Sequence, residues 1–306
     1  MIKKYRPICM LNVSFKFFTK VLANRFTSVA NRVIKPSQSA FMPGRFIMEV
    51  IVTLHESIHE LKRKKQRGLL LKLDFEKAYD KVNWDFLQQA LRMKGFSAQW
   101  CKWIESIVTG GSVGIKINDD IGKFFHTEKG LRQGDPLSPI LFNIVADMLA
   151  VLVERARKHD KIRGMVPHLV DEGMSILQYV DDTILFFEDD LEQAKNLKII
   201  LCVFEELSGL KINFHKSELF CMGEAKNRAS EYMALFGCKE GTIPFKYLGI
   251  PMSNSRITNK DWSQMETRFQ KKLSSWKGKL LTVGGRLVLI NSVLSSLPCS
   301  CFLFLE

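Results

Sequence analysis

Two apolar segments, one ending in an aspartate and one turning on a pair of them, constrain this chain more than any other feature. Leu69-Leu70-Leu71-Lys72-Leu73-Asp74-Phe75 follows Gly68 and is too short and too continuously apolar for an amphipathic helix. It predicts a buried strand with Asp74 at its C-terminal end. Ser175 to Phe187 predicts two strands joined in a tight hairpin at Val180-Asp181-Asp182. An acidic pair in a turn is ordinarily a solvated surface feature. Here the flanks Ile176, Leu177, Tyr179 and Val180 on one side, and Ile184, Leu185, Phe186 and Phe187 on the other, are too apolar for an exposed hairpin. The two carboxylates are therefore expected at the edge of a packed sheet. Like charges held close together raise each other's pKa and cost stability unless a cation neutralises them. A divalent metal is the usual remedy.

Around these runs the apolar period becomes helical. Ile51, Leu54, Ile58 and Leu61 predict an amphipathic helix ending in Lys62-Arg63-Lys64-Lys65-Gln66-Arg67 and Gly68. Glu76 onward reads as helix through Met93, stopping near Gly95. Val113 to Ile117, bracketed by Gly110-Gly111 and Asn118-Asp119-Asp120, reads as one arm of a hairpin. Gly130 to Pro139 is a loop running into a helix that Asp135 or Ser138 can cap, with proline at its first position. Leu141, Ile144, Val145, Met148, Leu149 and Leu152 mark the core face of that helix. Leu191 to Leu207 is a further helix closed by Gly209, and the remainder alternates short strands with a basic helical tail. The class is α+β.

Charge narrows the partners. With 45 Lys and Arg against 32 Asp and Glu, the net charge is +13, which suits a polyanion. From Met1 to Met48 there is no acidic residue, while Lys3, Lys4, Arg6, Lys16, Lys20, Arg25, Arg32, Lys35 and Arg45 are all basic. Such one-signed stretches attract phosphate. The run 62–67 is either the solvated end of its helix or a template contact. From Lys260 to Arg286 basic residues interleave with Trp262, Phe269 and Trp276, which fits a nucleic-acid groove or an amphipathic helix with core aromatics. The seven cysteines, without a Cys-x-x-Cys pair, suggest neither a disulfide framework nor a zinc knuckle. No stretch approaches the roughly 18 apolar residues of a spanning helix, so the expected location is nuclear or cytoplasmic, with no membrane partner. The apolar end Cys299 to Leu305, without cap or polar tail, reads as the edge of a fragment.

Hard oxygen donors suit Mg²⁺, which binds through one or two carboxylates together with water and substrate phosphates. Two such ions activate an attacking hydroxyl and steady the leaving oxygen of an in-line displacement, so the acidic trio points to nucleotidyl transfer. In chain order, Leu73-Asp74-Phe75-Glu76-Lys77-Ala78-Tyr79-Asp80, then Gly130-Leu131-Arg132-Gln133-Gly134-Asp135-Pro136-Leu137-Ser138-Pro139, then Tyr179-Val180-Asp181-Asp182 resemble motifs A, B and C of reverse transcriptases. They look most similar to those of LINE-type non-LTR retrotransposons of plants. The resemblance extends upstream to Arg6-Pro7-Ile8, Leu22-Ala23-Asn24-Arg25 and Gln38-Ser39-Ala40-Phe41-Met42-Pro43-Gly44-Arg45. Downstream it takes in Gly209-Leu210-Lys211-Ile212-Asn213 with Lys216, Tyr247-Leu248-Gly249, and Leu273-Ser274-Ser275-Trp276-Lys277. Several motifs in the right order and spacing are far more specific than one.

The resemblance implies an α+β right-hand polymerase: N-terminally truncated fingers over 1–67, a palm with an antiparallel sheet and part of the fingers over 68–250, and a partial helical thumb over 251–306. It implies an RNA-directed DNA polymerase that takes an RNA template, a DNA primer and dNTP. Asp74 and Asp181 would be the main ligands of two Mg²⁺ ions, with Mn²⁺ as a substitute, and Asp182 a supporting carboxylate. The backbone around Phe75 would touch the triphosphate. Tyr79 matches the bulky residue that excludes a 2′-hydroxyl; the alternative is a buried helix-facing aromatic. Gln133 and Gly134 would line the nucleotide and template pocket, and Arg6 and Arg45 would contact triphosphate or template. Lys216, or Lys211 in its place, would protonate pyrophosphate.

Three other readings compete. His55-Glu56-Ser57-Ile58-His59 fits the H-E-x-x-H zinc-protease pattern, but no convincing third ligand accompanies it. An RNA-dependent RNA polymerase shares the palm chemistry, yet its usual Gly-Asp-Asp turn is replaced here and Tyr79 opposes ribose. A catalytically inactive retrotransposon-derived remnant that binds nucleic acid is the non-enzymatic alternative, suggested by the apparent loss of chain at both ends. Oligomeric state leaves no trace in the sequence.

Overall fold

Local signals set the helices of the first 63 residues. In a computed structural model that describes residues 9–118, 120–167, 169, 173–253, 267 and 282–289, the Asn12 side chain accepts the Phe15 N–H at 2.7 Å and starts α1 (Val13–Thr27). Then come α2 (Ala30–Val33) and α3 (Ile47–Arg63), which buries the expected stripe Ile51, Leu54, Ile58 and Leu61. The basic run beyond that stripe is the solvated end of α3, with Arg63 and Lys64 on Glu60 and Arg67 on Glu224.

β1 (Gly68–Leu73) is the expected buried strand. The single helix expected from Glu76 to Met93 is two, α4 (Ala78–Lys81) and α5 (Trp84–Met93). Lys77 takes a left-handed conformation (φ 48°) before α4, and the Asn83 side chain accepts the N–H groups of Asp85 and Phe86 to start α5 afresh. α6 (Ala98–Thr109) leads to β2 (Ser112–Val113), β3 (Lys116–Ile117), β4 (Asp120–Ile121) and β5 (Phe125–His126). The pairs are β2 with β5 and β3 with β4, so the arm expected over Val113–Ile117 is interrupted at Gly114-Ile115. α7 (Ser138–Lys158) has Pro139 in its first turn; neither expected residue occupies its cap position, which falls to Leu137. Asp135 instead braces the start by accepting the Leu137 N–H and the Ser138 hydroxyl.

Next come β6 (Ile176–Tyr179), β7 (Asp182–Glu188), α8 (Leu191–Ser208), β8 (Glu218–Met222), α9 (Ala229–Phe236), β9 (Lys239–Glu240), β10 (Phe245–Tyr247), β11 (Ile250–Met252) and α10 (Val283–Leu289). α8 is closed by Gly209 at φ 75°, as expected, and its N-terminus is capped by the Asp190 side chain. The central sheet has the order β6-β7-β1-β8-β9, antiparallel except for β8 with β9.

Both faces of this sheet are covered, which is why its strands read as unbroken apolar runs. Leu69, Leu71, Leu73, Leu185, Phe187 and Leu219 pack on the side of α5, α6, α7, α8 and α9. Leu70, Ile184, Phe186, Phe220 and Met222 face α3 and the β10–β11 ladder. The alternation is the period of two that strand geometry imposes. The architecture is α+β, in keeping with a right-hand polymerase palm. Most of the expected thumb, including Trp262, Phe269 and Trp276, lies outside the described residues.

Candidate active site

Register brings the acidic residues to one end of the sheet. β1 and β7 pair with Leu73 opposite Thr183, so Asp74, which follows β1, and Asp182, the first residue of β7, lie at the same end of the sheet. On the other side of β7, Asp182 pairs with Tyr179 of β6, and Val180 and Asp181 make the connecting turn. All three aspartates are half-buried. The segment after Asp74 is stitched to the segment before β8. The Asp74 N–H donates to Ser217 Oγ at 3.1 Å, the Asn213 N–H to the Asp74 carbonyl at 2.7 Å, and the Glu76 N–H to the Lys211 carbonyl at 2.8 Å. Phe75 bridges Ile212 between the last two bonds, so its own N–H and C=O point away from that segment.

Asp181 opens onto a cavity of about 190 Å³ walled by Lys77, Tyr79, Arg132, Gln133, Gly134 and Pro139. Tyr79, Gln133 and Gly134, predicted to contact the nucleotide, therefore share one space with Asp181, predicted to hold metal. Its two walls are tied by backbone. The Leu131 N–H donates to the Tyr79 carbonyl at 2.7 Å, the Gly130 N–H to the Val82 carbonyl at 2.8 Å, and Trp84 Nε1 to the Gly130 carbonyl at 2.7 Å. Gln133 Nε2 donates to Asp80 Oδ1 at 3.4 Å. Burial pushes the Tyr79 hydroxyl well above its ordinary pKa, and the nearby Asp181 charge adds to the shift.

Asp74, Asp181 and Asp182 offer oxygen donors only, the chemistry a hard cation requires. Among the described residues, no group of three or more His, Cys, Asp or Glu side chains is gathered closely enough to cage a metal ion.

The other candidates are placed differently. Arg45 does not line the cavity: its guanidinium donates to the carbonyls of Ile34, Lys35 and Gln38 and clasps the loop between α2 and α3. Burial lowers its pKa, opposed by Asp147 and Glu49. Arg6 lies outside the described residues. Lys211 and Lys216 are both exposed. Both help hold the Glu76 carboxyl low, behind its hydrogen bond and charge contact with Lys81, so the electrostatics do not separate the two lysines. In the H-E-x-x-H segment His55 is half-buried and His59 exposed, with Ser57 and Ile58 buried between them.

One residue at the site was not singled out by its sequence. Gln38 is fully buried and hydrogen-bonds both backbone groups of Val180, the residue before Asp181. Its only sequence signal is an uncharged amide within the string Gln38 to Arg45.

Known proteins resemble this chain along most of its length. The family described as reverse transcriptase (RNA-dependent DNA polymerase) matches residues 2–252. The transposon TX1 uncharacterized 149 kDa protein of Xenopus laevis is 28% identical over 301 residues, 97% of this chain and 22% of the relative. A retrovirus-related Pol polyprotein from a type-1 retrotransposable element R2 of Nasonia vitripennis is 30% identical over 185 residues, 60% of this chain and 17% of the relative. The chain thus spans less than a quarter of either relative's length. Among solved structures, telomerase from Candida tropicalis in complex with a TWJ fragment of telomeric RNA is similar with a TM-score of 0.50 and 14% identity, covering 85% of this chain and 41% of that one. At that identity the likeness speaks to fold alone.

Proposed function

This chain belongs to the reverse transcriptase (RNA-dependent DNA polymerase) family, and on that premise we propose that it is the polymerase core of a non-LTR retrotransposon polyprotein. It joins deoxynucleoside triphosphates to a primer 3′-hydroxyl along an RNA template. The observation that carries this reading is the meeting of Asp181 with Tyr79, Gln133 and Gly134 around one cavity. At about 190 Å³ the space is smaller than the roughly 300 Å³ at which small-molecule pockets begin. It suits the sugar end of a nucleotide, with template and primer completing the site.

In this reading Asp74 and Asp181 hold the metal ions and Asp182 supports them. Bound Mg²⁺ supplies activation of the 3′-hydroxyl and charge neutralisation at the phosphates. The chain's own part is placement. Tyr79 walls the sugar position, Gln133 and Gly134 border the base and template side, and an exposed lysine, Lys216 or Lys211, gives a proton to the departing pyrophosphate. The motif strings favour a LINE-type element of plants, working in the nucleus or cytoplasm.

Primer extension on an RNA template with Mg²⁺ and the four dNTPs tests the proposal. Extension by the wild-type chain that disappears in Asp181→Asn, with RNA binding retained, is the expected result. A folded wild-type chain that binds RNA and extends nothing would mark a non-catalytic remnant.

A further inference from the structure

The Asp181-Asp182 turn is held from outside the sheet. β6 is an edge strand, and its end is covered by the loop between α2 and α3. The Gln178 N–H donates to the Ser37 carbonyl at 2.8 Å, and the Ser39 N–H donates to the Gln178 carbonyl at 3.2 Å. From the middle of this short parallel bridge the Gln38 side chain reaches the hairpin turn. Its Oε1 accepts the Val180 N–H at 3.1 Å and the Ala40 N–H at 3.1 Å, and its Nε2 donates to the Val180 carbonyl at 3.3 Å. One buried amide thus satisfies both backbone groups of a single turn residue.

Val180 is a residue that needs such a hold. It sits at φ 58°, in the left-handed region where a β-branched side chain is a genuine outlier. Conformations of this kind persist only where the surroundings over-determine them. The loop presenting Gln38 is itself fixed. Arg45 clasps the carbonyls of Ile34, Lys35 and Gln38; Asp147 Oδ1 accepts the Lys35 N–H at 2.8 Å; Asn143 Nδ2 donates to the Ala40 carbonyl at 2.6 Å. A continuous set of directed contacts therefore runs from α7 and Arg45 through Gln38 to Val180. The next residue, Asp181, lines the cavity.

We infer that Gln38 is a positioning residue for catalysis: its amide locks Val180 in the left-handed conformation and so aims the Asp181 carboxylate into the nucleotide cavity. The inference rests on the polymerase reading above. A carboxylate could not replace the amide, because Nε2 must donate to a carbonyl; nor could a thioether of the same length, which supplies neither bond.

The test combines primer-extension kinetics with amide hydrogen exchange at Val180, both on the full chain. Gln38→Met is expected to lower kcat by roughly 100-fold, the scale of a small misplacement of a reacting group, with the KM for dNTP little changed. Exchange of the Val180 N–H should accelerate. In a Val180→Gly background the same substitution should cost clearly less, because glycine enters positive φ without steric penalty. An equal loss in both backgrounds, an effect on KM alone, or an unaltered Val180 exchange rate overturns the inference. Should Gln38→Met fail to fold, Gln38→Asn, which keeps an amide one methylene short, carries the same expectations. If wild-type chain extends no primer, the polymerase reading fails by itself, and Val180 exchange still decides whether Gln38 holds the turn.

Discussion

The rings of Tyr79 and Phe142 lie flat on each other, with centroids 4.7 Å apart and planes 7° from parallel. Phe142 is fully buried on α7, while Tyr79 is half-buried on α4 at the cavity wall. The tyrosine is thus core and cavity wall at once, and the two readings of it from sequence do not exclude each other.

Removing that ring should widen the cavity where a 2′-hydroxyl would sit. Tyr79→Val is expected to relax discrimination against ribonucleotides in primer extension by about 10- to 200-fold, the range for filling or emptying a small part of a pocket. It also loses the aromatic stack, worth about 0.5–1.5 kcal/mol beyond area burial. Tyr79→Phe keeps both. Unchanged ribonucleotide exclusion in the folded valine variant would remove Tyr79 from the role.

Gly130 joins the two walls of the cavity and has no room for a side chain. Its φ is 90°, and an added Cβ would stand 2.8 Å from the Asp80 carbonyl oxygen. Hydrogen bonds from its N–H to Val82 and from Trp84 to its carbonyl keep the backbone from stepping aside. Gly130→Ala should cost roughly 1–2 kcal/mol for the left-handed backbone and about 1–3 kcal/mol for overpacking. Urea unfolding measures the sum; a cost near zero would show that the loop yields.

Lys94 and Asp147 form an ion pair that is almost wholly buried, at 8% and 0% side-chain exposure. Asp147 also accepts the Lys35 N–H at 2.8 Å, so it anchors the loop that carries Gln38. Asp147→Ala leaves a buried ammonium without its carboxylate, and a loss of about 3–5 kcal/mol is expected in denaturant unfolding. Lys94→Met combined with Asp147→Leu should be less damaging than Asp147→Ala, because no charge is then stranded. A double variant at least as unstable as Asp147→Ala would contradict this.

The sheet was legible because burial on both faces leaves an unbroken apolar run, and Leu69, Leu71 and Leu73 against Leu70 need only the period of two to be sorted. The cavity was partly legible, since Tyr79, Gln133, Gly134 and Asp181 each lie in a motif string. Other features carry no residue-type signal. The expected helix after Glu76 starts late because a lysine, Lys77, takes positive φ, and it breaks at Val82, whose backbone turns extended before Asn83 caps a second helix; nothing in the chemistry of Lys77 or Val82 announces either. Gln38 reads like any surface amide, because the turn residue it holds, Val180, is 142 residues away in sequence. Arg45 was counted with the phosphate-seeking cations; only the fold reveals three carbonyls around its guanidinium.

Burial holds the His55 imidazole below its ordinary pKa of 6.5; Glu56 opposes the shift and His59 reinforces it. The folded chain therefore takes up this proton less readily than the unfolded chain. Stability tied to His55 is present in full above pH 6.5 and is lost as pH falls from there through the lower folded value. His55→Gln should flatten that part of the acid dependence of the urea midpoint, while leaving the midpoint's dependence above pH 6.5 unaltered. A wild-type midpoint that stays constant through mild acid would mean that the folded chain accommodates the charge. The same residue arbitrates the protease reading of the segment. Stoichiometric zinc in purified protein, lost on His55→Ala, would make α3 a metal site, and the acid sensitivity would then depend on the metal rather than on desolvation of the imidazole.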